Sequence, residues 1–68
     1  YHLTPAEARL AHALCEGLSL REAAEALRIT YGTARTRLKA VFGKTGTHRQ
    51  AALVERIRRD LPRPLGPG

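Results

Sequence analysis

The chain has no tryptophan and no methionine, and it has a single phenylalanine and a single cysteine among its 68 residues. Its apolar residues are mostly alanine and leucine. This composition favours close-packed helices over a β-sandwich, because strands are rich in aromatic and β-branched residues. A single cysteine excludes an internal disulfide, so a chain of this length must be held together by simple packing. We therefore expect one small all-α domain.

Long apolar runs are also missing. No stretch approaches the roughly 20 apolar residues that a membrane-spanning helix needs, and no charged start is followed by an apolar signal region. The sequence therefore predicts a cytoplasmic chain with no membrane partner. Because it opens with Tyr1 instead of methionine, we expect it to be a piece of a longer protein or a chain whose start has been removed, and any sensory domain would then lie outside it.

Acidic residues are absent from the segment between Ala26 and Val54. The net charge of +6 therefore understates how unevenly charge is distributed along the chain. Cations concentrated on one element indicate a polyanionic partner, and double-stranded DNA is the first candidate. A solvated face is the alternative, but solubility alone does not require the acids to be excluded. The segment carries six cations, which are Arg28, Arg35, Arg37, Lys39, Lys44 and Arg49.

Start and stop signals predict four helices. Each expected helix follows a serine or threonine that can cap it, and three of these caps have Glu or Gln three residues later, as a capping box requires. Gly17 and Gly46 end the first and third helices, because glycine adopts the left-handed conformation of a helix end. The sequence predicts an all-α four-helix bundle with helices at about 5–16, 20–27, 31–44 and 48–60. The caps are Thr4, Ser19, Thr30 and Thr47, and the boxes are completed by Glu7, Glu22 and Gln50.

Apolar residues at helical spacing predict one buried stripe on each helix. Prolines alternate with glycines after Leu61, and proline cannot continue a helix. We therefore expect a domain at 1–61 and a flexible tail at 62–68. The predicted stripes are Leu10, Ala11, Leu14 and Cys15; Ala23, Ala24 and Leu27; Ala34, Leu38 and Val41 with Phe42 beside them; and Ala51, Ala52, Val54, Ile57 and Leu61.

The second and third helices have the order and lengths of a helix-turn-helix, in which a short helix and a tight turn precede a longer basic helix. The second helix of that motif lies in the major groove and presents its first turns to base edges. With the buried stripe inward, Arg35, Thr36 and Lys39 lie on the outer side, and we expect them to read bases. Seven residues at helix starts or flanks are expected to contact phosphate: Arg21, Tyr31, Thr33, Arg37, Lys44, His48 and Arg49.

An ordered set of residues extends this interpretation. It comprises Leu3-Thr4-Pro5-Ala6-Glu7, Glu16-Gly17-Leu18-Ser19, Glu22, Ala24, Leu27, Ile29, Thr33, Leu38, Lys44, Gly46, Arg49 and Ala52. In this order, from Leu3 to about Val54, the chain resembles the LuxR-type (GerE-like) DNA-binding domain of bacterial transcription regulators. The resemblance implies a four-helix module with base readout at the same three positions. It also implies a homodimer contact on the fourth helix through some of Leu53, Ile57 and neighbouring apolar positions. RNA polymerase is a further candidate partner.

The chain departs from that family at several positions. Ala34 stands where the family usually has Val, Arg37 where it has His and Thr45 where it has Leu, and the loop after the third helix is one residue short. Ala34 and Thr45 are smaller than the usual residues, so they shrink the core. The extra cation at Arg37 should strengthen phosphate contact, and the short loop affects the angle of the fourth helix.

Other functions stay open at this point. The run from Gly32 to Leu38 also resembles the recognition helix of small alternative sigma factors, and a protein-interaction module that no longer reads DNA is a further alternative. Gly32 either lets the DNA backbone approach closely or merely lowers helix propensity. We find no paired carboxylates, catalytic triad, phosphate loop or metal-ligand set, so we predict no enzyme activity, no cofactor and no metal. We expect Cys15 to be a core thiol and not, with His12, a metal ligand.

Overall fold

A computed structural model describes residues 2–60 of the chain. It contains four helices, α1 (Pro5–Cys15), α2 (Leu20–Leu27), α3 (Tyr31–Thr45) and α4 (Gln50–Asp60). No strand occurs within residues 2–60, so the all-α prediction is confirmed. The first and third helices end within one residue of their expected ends. The tail expected at 62–68 lies outside the described residues.

Three of the predicted helix starts are confirmed by their hydrogen bonds. The Thr4 amide donates to Glu7 Oε1 at 2.8 Å while the Glu7 amide donates to Thr4 Oγ1 at 3.1 Å. Ser19 and Glu22 form the same reciprocal pair at 2.8 and 3.1 Å. At the start of α3, Thr30 Oγ1 accepts from the backbone amide of residue 33 at 3.1 Å. Each cap satisfies amides that the first helical turn leaves unpaired, so these starts are encoded locally.

The turn between α2 and α3 is tight. Arg28 ends α2 in the left-handed conformation, with φ 58° and ψ 42°. The amide of Ile29 donates to the carbonyl of Ala24 at 3.0 Å, which closes the end of α2. Thr30 follows at once as the cap of α3. The short connection lets α2 and α3 pack against each other as a helix-turn-helix pair.

The start of α4 differs from the prediction. The helix begins at Gln50, two residues later than expected. Thr47 does not form a capping box with Gln50, because both side chains have partners elsewhere. The Thr47 hydroxyl lies 2.8 Å from the Thr45 hydroxyl, which in turn donates to the Val41 carbonyl at 2.8 Å. The Gln50 amide nitrogen donates across the fold to the Leu18 carbonyl at 3.2 Å.

The core lies where α1, α3 and α4 meet. Its largest fully buried side chains are Leu10 and Leu14 of α1, Val41 of α3 and Leu53 of α4. Ala23 and Ala24 of α2 and Ala34 of α3 are also buried. Small side chains let the two helix backbones approach closely, which fixes the position of α3.

The predicted buried stripe of the fourth helix is confirmed at Ile57 and at the half-buried Val54, which packs against the core, but not at its two alanines. Ala51 and Ala52 are exposed, whereas Leu53 is 0% and Ile57 7% exposed. Leu53 and Ile57, expected among the dimer contacts, have side chains buried inside the monomer, so a contact through this helix has to use neighbouring positions, and the dimer itself stays a prediction. The physical reason is that residues four apart share one helix face, and these branched side chains bury more apolar area than the alanines would. Leu61, expected in the same stripe, lies outside the described residues.

Within residues 2–60, no helix has the length and apolar character that crossing a membrane requires.

Candidate nucleic-acid interface

Four residues form an exposed strip on the outer side of α3, here called the outer strip. Gly32, Arg35, Thr36 and Lys39 line one shallow depression of about 260 Å³. Their spacing of three, four and seven residues places them on a single helix face. The structure thus brings together the three side chains that the sequence analysis selected for base reading, and it adds Gly32 to them.

The two cations of the outer strip have no partner within the part of the chain that the structure describes. Neither Arg35 nor Lys39 forms a hydrogen bond or an ion pair there. Arginines of α4 behave differently, since Arg58 donates to the Cys15 carbonyl at 2.6 Å and Arg59 to Glu55 Oε1 at 2.7 Å. The donors of the outer strip therefore remain available to an anion or to base acceptors.

Arg21 and Tyr31, both expected to contact phosphate, meet at the start of α3. The Arg21 guanidinium carbon lies 4.6 Å from the centroid of the Tyr31 ring. A guanidinium stacked on an aromatic face is held in one orientation by cation–π attraction. Tyr31 itself is 40% exposed. The pair places an oriented cation from α2 beside the first residue of α3.

Thr33 belongs to the cap of α3. Its backbone amide donates to Thr30 Oγ1 at 3.1 Å, and its hydroxyl oxygen accepts from the Thr30 hydroxyl at 2.9 Å. The amide is therefore not free to bind a phosphate. The Thr33 hydroxyl is the acceptor in its bond with Thr30, so its own proton can still be donated to a phosphate oxygen.

Lys44 joins α3 to α1. Its Nζ lies 2.6 Å from Glu7 Oε1, and the Glu7 side chain is only 9% exposed. Hydrogen bonds from Lys44 and from the Thr4 amide hold the pKa of Glu7 below its usual range. The charge of Lys44 is thus compensated within the fold, and the expected phosphate contact of Lys44 would compete with a sheltered carboxylate. In the sequence Glu7 is recognisable only as part of the Thr4 cap, since no local pattern links two residues 37 positions apart.

His48 and Arg49, the last two of the expected phosphate contacts, lie in the loop after α3. Both are exposed. A helix of 15 residues is about 22 Å long, so these two residues lie far from the start of α3. The structure does not bring them together with Arg21 and Tyr31.

Arg37 faces α1 and has a neighbour that the sequence analysis missed. Arg37 is half-buried and lines a cavity of about 90 Å³ together with Arg9. It also lines a larger groove of about 450 Å³ between the start of α1 and α3. Arg9 precedes the basic segment, and its proximity to Arg37 arises only from helix packing.

The cysteine and histidine of α1 do not form a site. His12 Nε2 pairs with Glu16 Oε1 at 3.2 Å. Burial raises the pKa of the Cys15 thiol, against a smaller opposing effect of Arg58, so the reactive thiolate is disfavoured. Residues 2–60 contain no group of three or more His, Cys, Asp or Glu side chains that could hold a metal.

The arrangement thus combines an exposed helix face with unpaired donors, an oriented guanidinium at one end and two arginines along one side. Comparison of the chain with protein-family models, curated proteins and solved structures gives no match. Its function must be argued from this geometry and from the sequence.

Proposed function

We propose that this chain is the sequence-specific, double-stranded-DNA-binding domain of a bacterial transcription regulator that acts in the cytoplasm. In this proposal α3 is the recognition helix and lies in the major groove. The observation that carries the proposal is the outer strip, on which Arg35, Thr36 and Lys39 share an exposed face and the two cations have no partner among residues 2–60. The resemblance to LuxR-type domains supports it. No enzymatic step and no cofactor enter the proposal.

Base contacts and phosphate contacts would have different roles in this proposal. Arg35 can donate a bidentate pair to guanine, Thr36 can bond a base edge or meet a thymine methyl, and Lys39 can reach guanine acceptors. A good bidentate contact discriminates between bases by about 1–3 kcal/mol. Arg21 and Tyr31 would hold the register through phosphate, which carries no sequence information itself.

We further propose that two copies bind two half-sites about one helical turn apart. Because Leu53 and Ile57 are buried, a contact through α4 would use its exposed side, which carries Ala51 and Ala52. Their short side chains allow two helices to approach closely. RNA polymerase remains a candidate partner of the DNA-bound form.

Selection from a randomised duplex library at moderate salt tests the proposal. Enrichment of a palindromic motif would support a dimeric DNA reader and define its half-site. An asymmetric motif would instead favour binding as a single unit, as expected of a sigma factor's promoter-reading domain. If no motif is enriched while the domain is folded, sequence-specific readout is refuted and a protein-interaction role takes its place.

A matched pair of variants tests the outer strip itself. Lys39→Gln and Arg59→Gln each remove one exposed positive charge, but Arg59 lies on α4 and pairs with Glu55. We expect Lys39→Gln to weaken binding to the selected duplex about tenfold, which corresponds to about 1.4 kcal/mol. Arg59→Gln should leave it nearly unchanged. Equal losses would mean that binding follows net charge, which contradicts readout by the outer strip.

A further inference from the structure

Two arginines share a small cleft beside the outer strip, here called the arginine cleft. It is lined by Ala6 and Arg9 of α1, by Leu27 and Ile29 around the α2–α3 turn, and by Arg37 of α3. Its volume of about 90 Å³ is that of about three water molecules. No acidic side chain lines it. The cleft is therefore lined by three apolar residues and two arginines.

The charge of the arginine cleft is not compensated within the described residues. Neither Arg9 nor Arg37 forms a hydrogen bond or an ion pair there. Elsewhere in the same fold Lys44 is neutralised by Glu7 and Arg59 by Glu55. Two like charges on one small cavity repel each other, and an anion between them would remove that repulsion. Each guanidinium carries five N–H donors in a planar fork, which suits the oxygens of a phosphate.

The position of the arginine cleft indicates which phosphate it would meet. Gly32 and Thr36 of the outer strip also line the groove between α1 and α3, and this groove shares Ala6 and Arg37 with the arginine cleft, so the three depressions are continuous. Arg35 belongs to the outer strip, whereas Arg37 faces α1. A helix lying in the major groove has a DNA strand along each side. A strand on the α1 side of α3 would follow the groove between the two helices and bring a phosphate toward Arg37 and Arg9.

We propose that the arginine cleft binds one phosphate group of the DNA backbone, with Arg9 and Arg37 as its ligands. This inference rests on the proposed DNA-binding function and assigns a role to Arg9, which lies outside the basic segment. The competing explanation is that the aliphatic parts of the two arginines only cover Leu27 and Ile29. Arg9→Met separates the two, because methionine keeps an unbranched apolar side chain and removes the charge.

The salt dependence of DNA binding is the first test. We measure the DNA affinity of the wild type, of Arg9→Met and of the control Arg59→Met between 50 and 200 mM salt. The probe is the selected duplex, or a mixed-sequence duplex if selection gives no motif. Each phosphate contact contributes a slope of about 0.9 in log affinity against log salt. Arg9→Met should lower the slope by about 1, so that the advantage of the wild type shrinks about 3.5-fold over this range. Arg59→Met should keep the wild-type slope, and an unchanged slope in Arg9→Met overturns the proposal.

Inorganic phosphate without DNA is the second test. The arginine side-chain NMR signals are followed during titration with phosphate and, at the same ionic strength, with chloride. Phosphate-specific shifts of Arg9 and Arg37 combined with the lower slope support the backbone-phosphate site. Phosphate binding with an unchanged slope would make the cleft a site for a free anion and overturn the DNA contact.

The outcomes separate this inference from the proposed function. If the folded wild type binds no duplex, the proposed function fails, and the phosphate titration alone decides whether the cleft binds phosphate. If the wild type binds duplex but Arg9→Met matches it in affinity and slope, the DNA-binding function stands and the cleft proposal fails.

Discussion

Replacing Gly32 with alanine should make the domain more stable and its DNA complex weaker. Gly32 is the second residue of α3, and Gly43 lies two residues before the end of the same helix. A Cβ added at either position would meet no atom within 4 Å. Alanine therefore fits both sites without strain. Gly43→Ala provides a control with the same chemistry on the same helix.

The expected gain in stability follows from helix propensity. Glycine within a helix is less favourable than alanine by about 0.5–1 kcal/mol. In a domain of this size 1 kcal/mol shifts the melting temperature by about 4–8 °C, so each variant should melt about 2–8 °C higher. Thermal unfolding followed by circular dichroism measures this. A lower melting temperature in either variant would refute the conclusion that its Cβ position is open.

The two variants should differ in DNA binding. Gly32 belongs to the outer strip, where the proposed docking brings α3 close to the duplex, and an added methyl group would disturb that contact. Overpacking of a close contact costs about 1–3 kcal/mol. This corresponds to a loss of about 5–150-fold in affinity for Gly32→Ala. Gly43 lies about 16 Å further along the helix, so Gly43→Ala should bind like the wild type.

Fluorescence anisotropy with a labelled duplex gives both affinities. If Gly32→Ala binds as tightly as the wild type, the start of α3 does not lie close against DNA and the docking is wrong. If Gly43→Ala is the weakened variant, the other end of α3 enters the groove. Either result can be separated from misfolding, because both proteins should be more stable than the wild type.

Three further predictions concern the stability of the fold. Glu7→Gln should lower the melting temperature at pH 7 because it removes the ion pair with Lys44. Since the pKa of Glu7 is lowered in the folded state, this difference should persist down to the usual carboxyl pKa of about 4.3 and be smaller at about pH 3, as protonation of the wild-type carboxyl begins to remove the ion pair. A difference that is equal at both pH values would contradict the ion pair. Leu53→Ala should lower the free energy of unfolding in urea by about 2–5 kcal/mol, because Leu53 is fully buried. Ala51→Ser should change it little, because Ala51 is exposed. Equally small effects of the two substitutions would contradict the placement of α4. Thr30→Ala should lower the free energy of unfolding by about 1 kcal/mol, because it removes the cap of α3, and Thr30→Ser should keep most of that stability. Chemical denaturation measures both differences.

The helix starts were predictable because their hydrogen bonds are local. In the boxes at Thr4 and Ser19, both partners lie within three residues, so the sequence contains all the information needed. The box expected at Thr47 was wrong for the complementary reason. Gln50 donates to the Leu18 carbonyl 32 residues away, which no local pattern reveals, and Thr47 bonds to Thr45 instead.

The outer strip was also predictable, although the functions of its neighbours were not. Helical periodicity places Arg35 and Lys39 opposite the buried stripe of α3, and the structure leaves both without a partner among residues 2–60. Lys44 looked equivalent in sequence. Its pairing with Glu7 is visible only once α1 and α3 lie side by side.

The sequence by itself determined that the chain is helical, where three of the four helices begin, and which face of α3 points outward. These features depend on hydrogen bonds within one turn and on the period of a single helix. Only the tertiary structure decided that Leu53 joins Ile57 in the core, which cations are neutralised, and that Arg9 lies beside Arg37. Such features arise between helices, because burial of apolar area and pairing of charges depend on which surfaces meet when the helices pack.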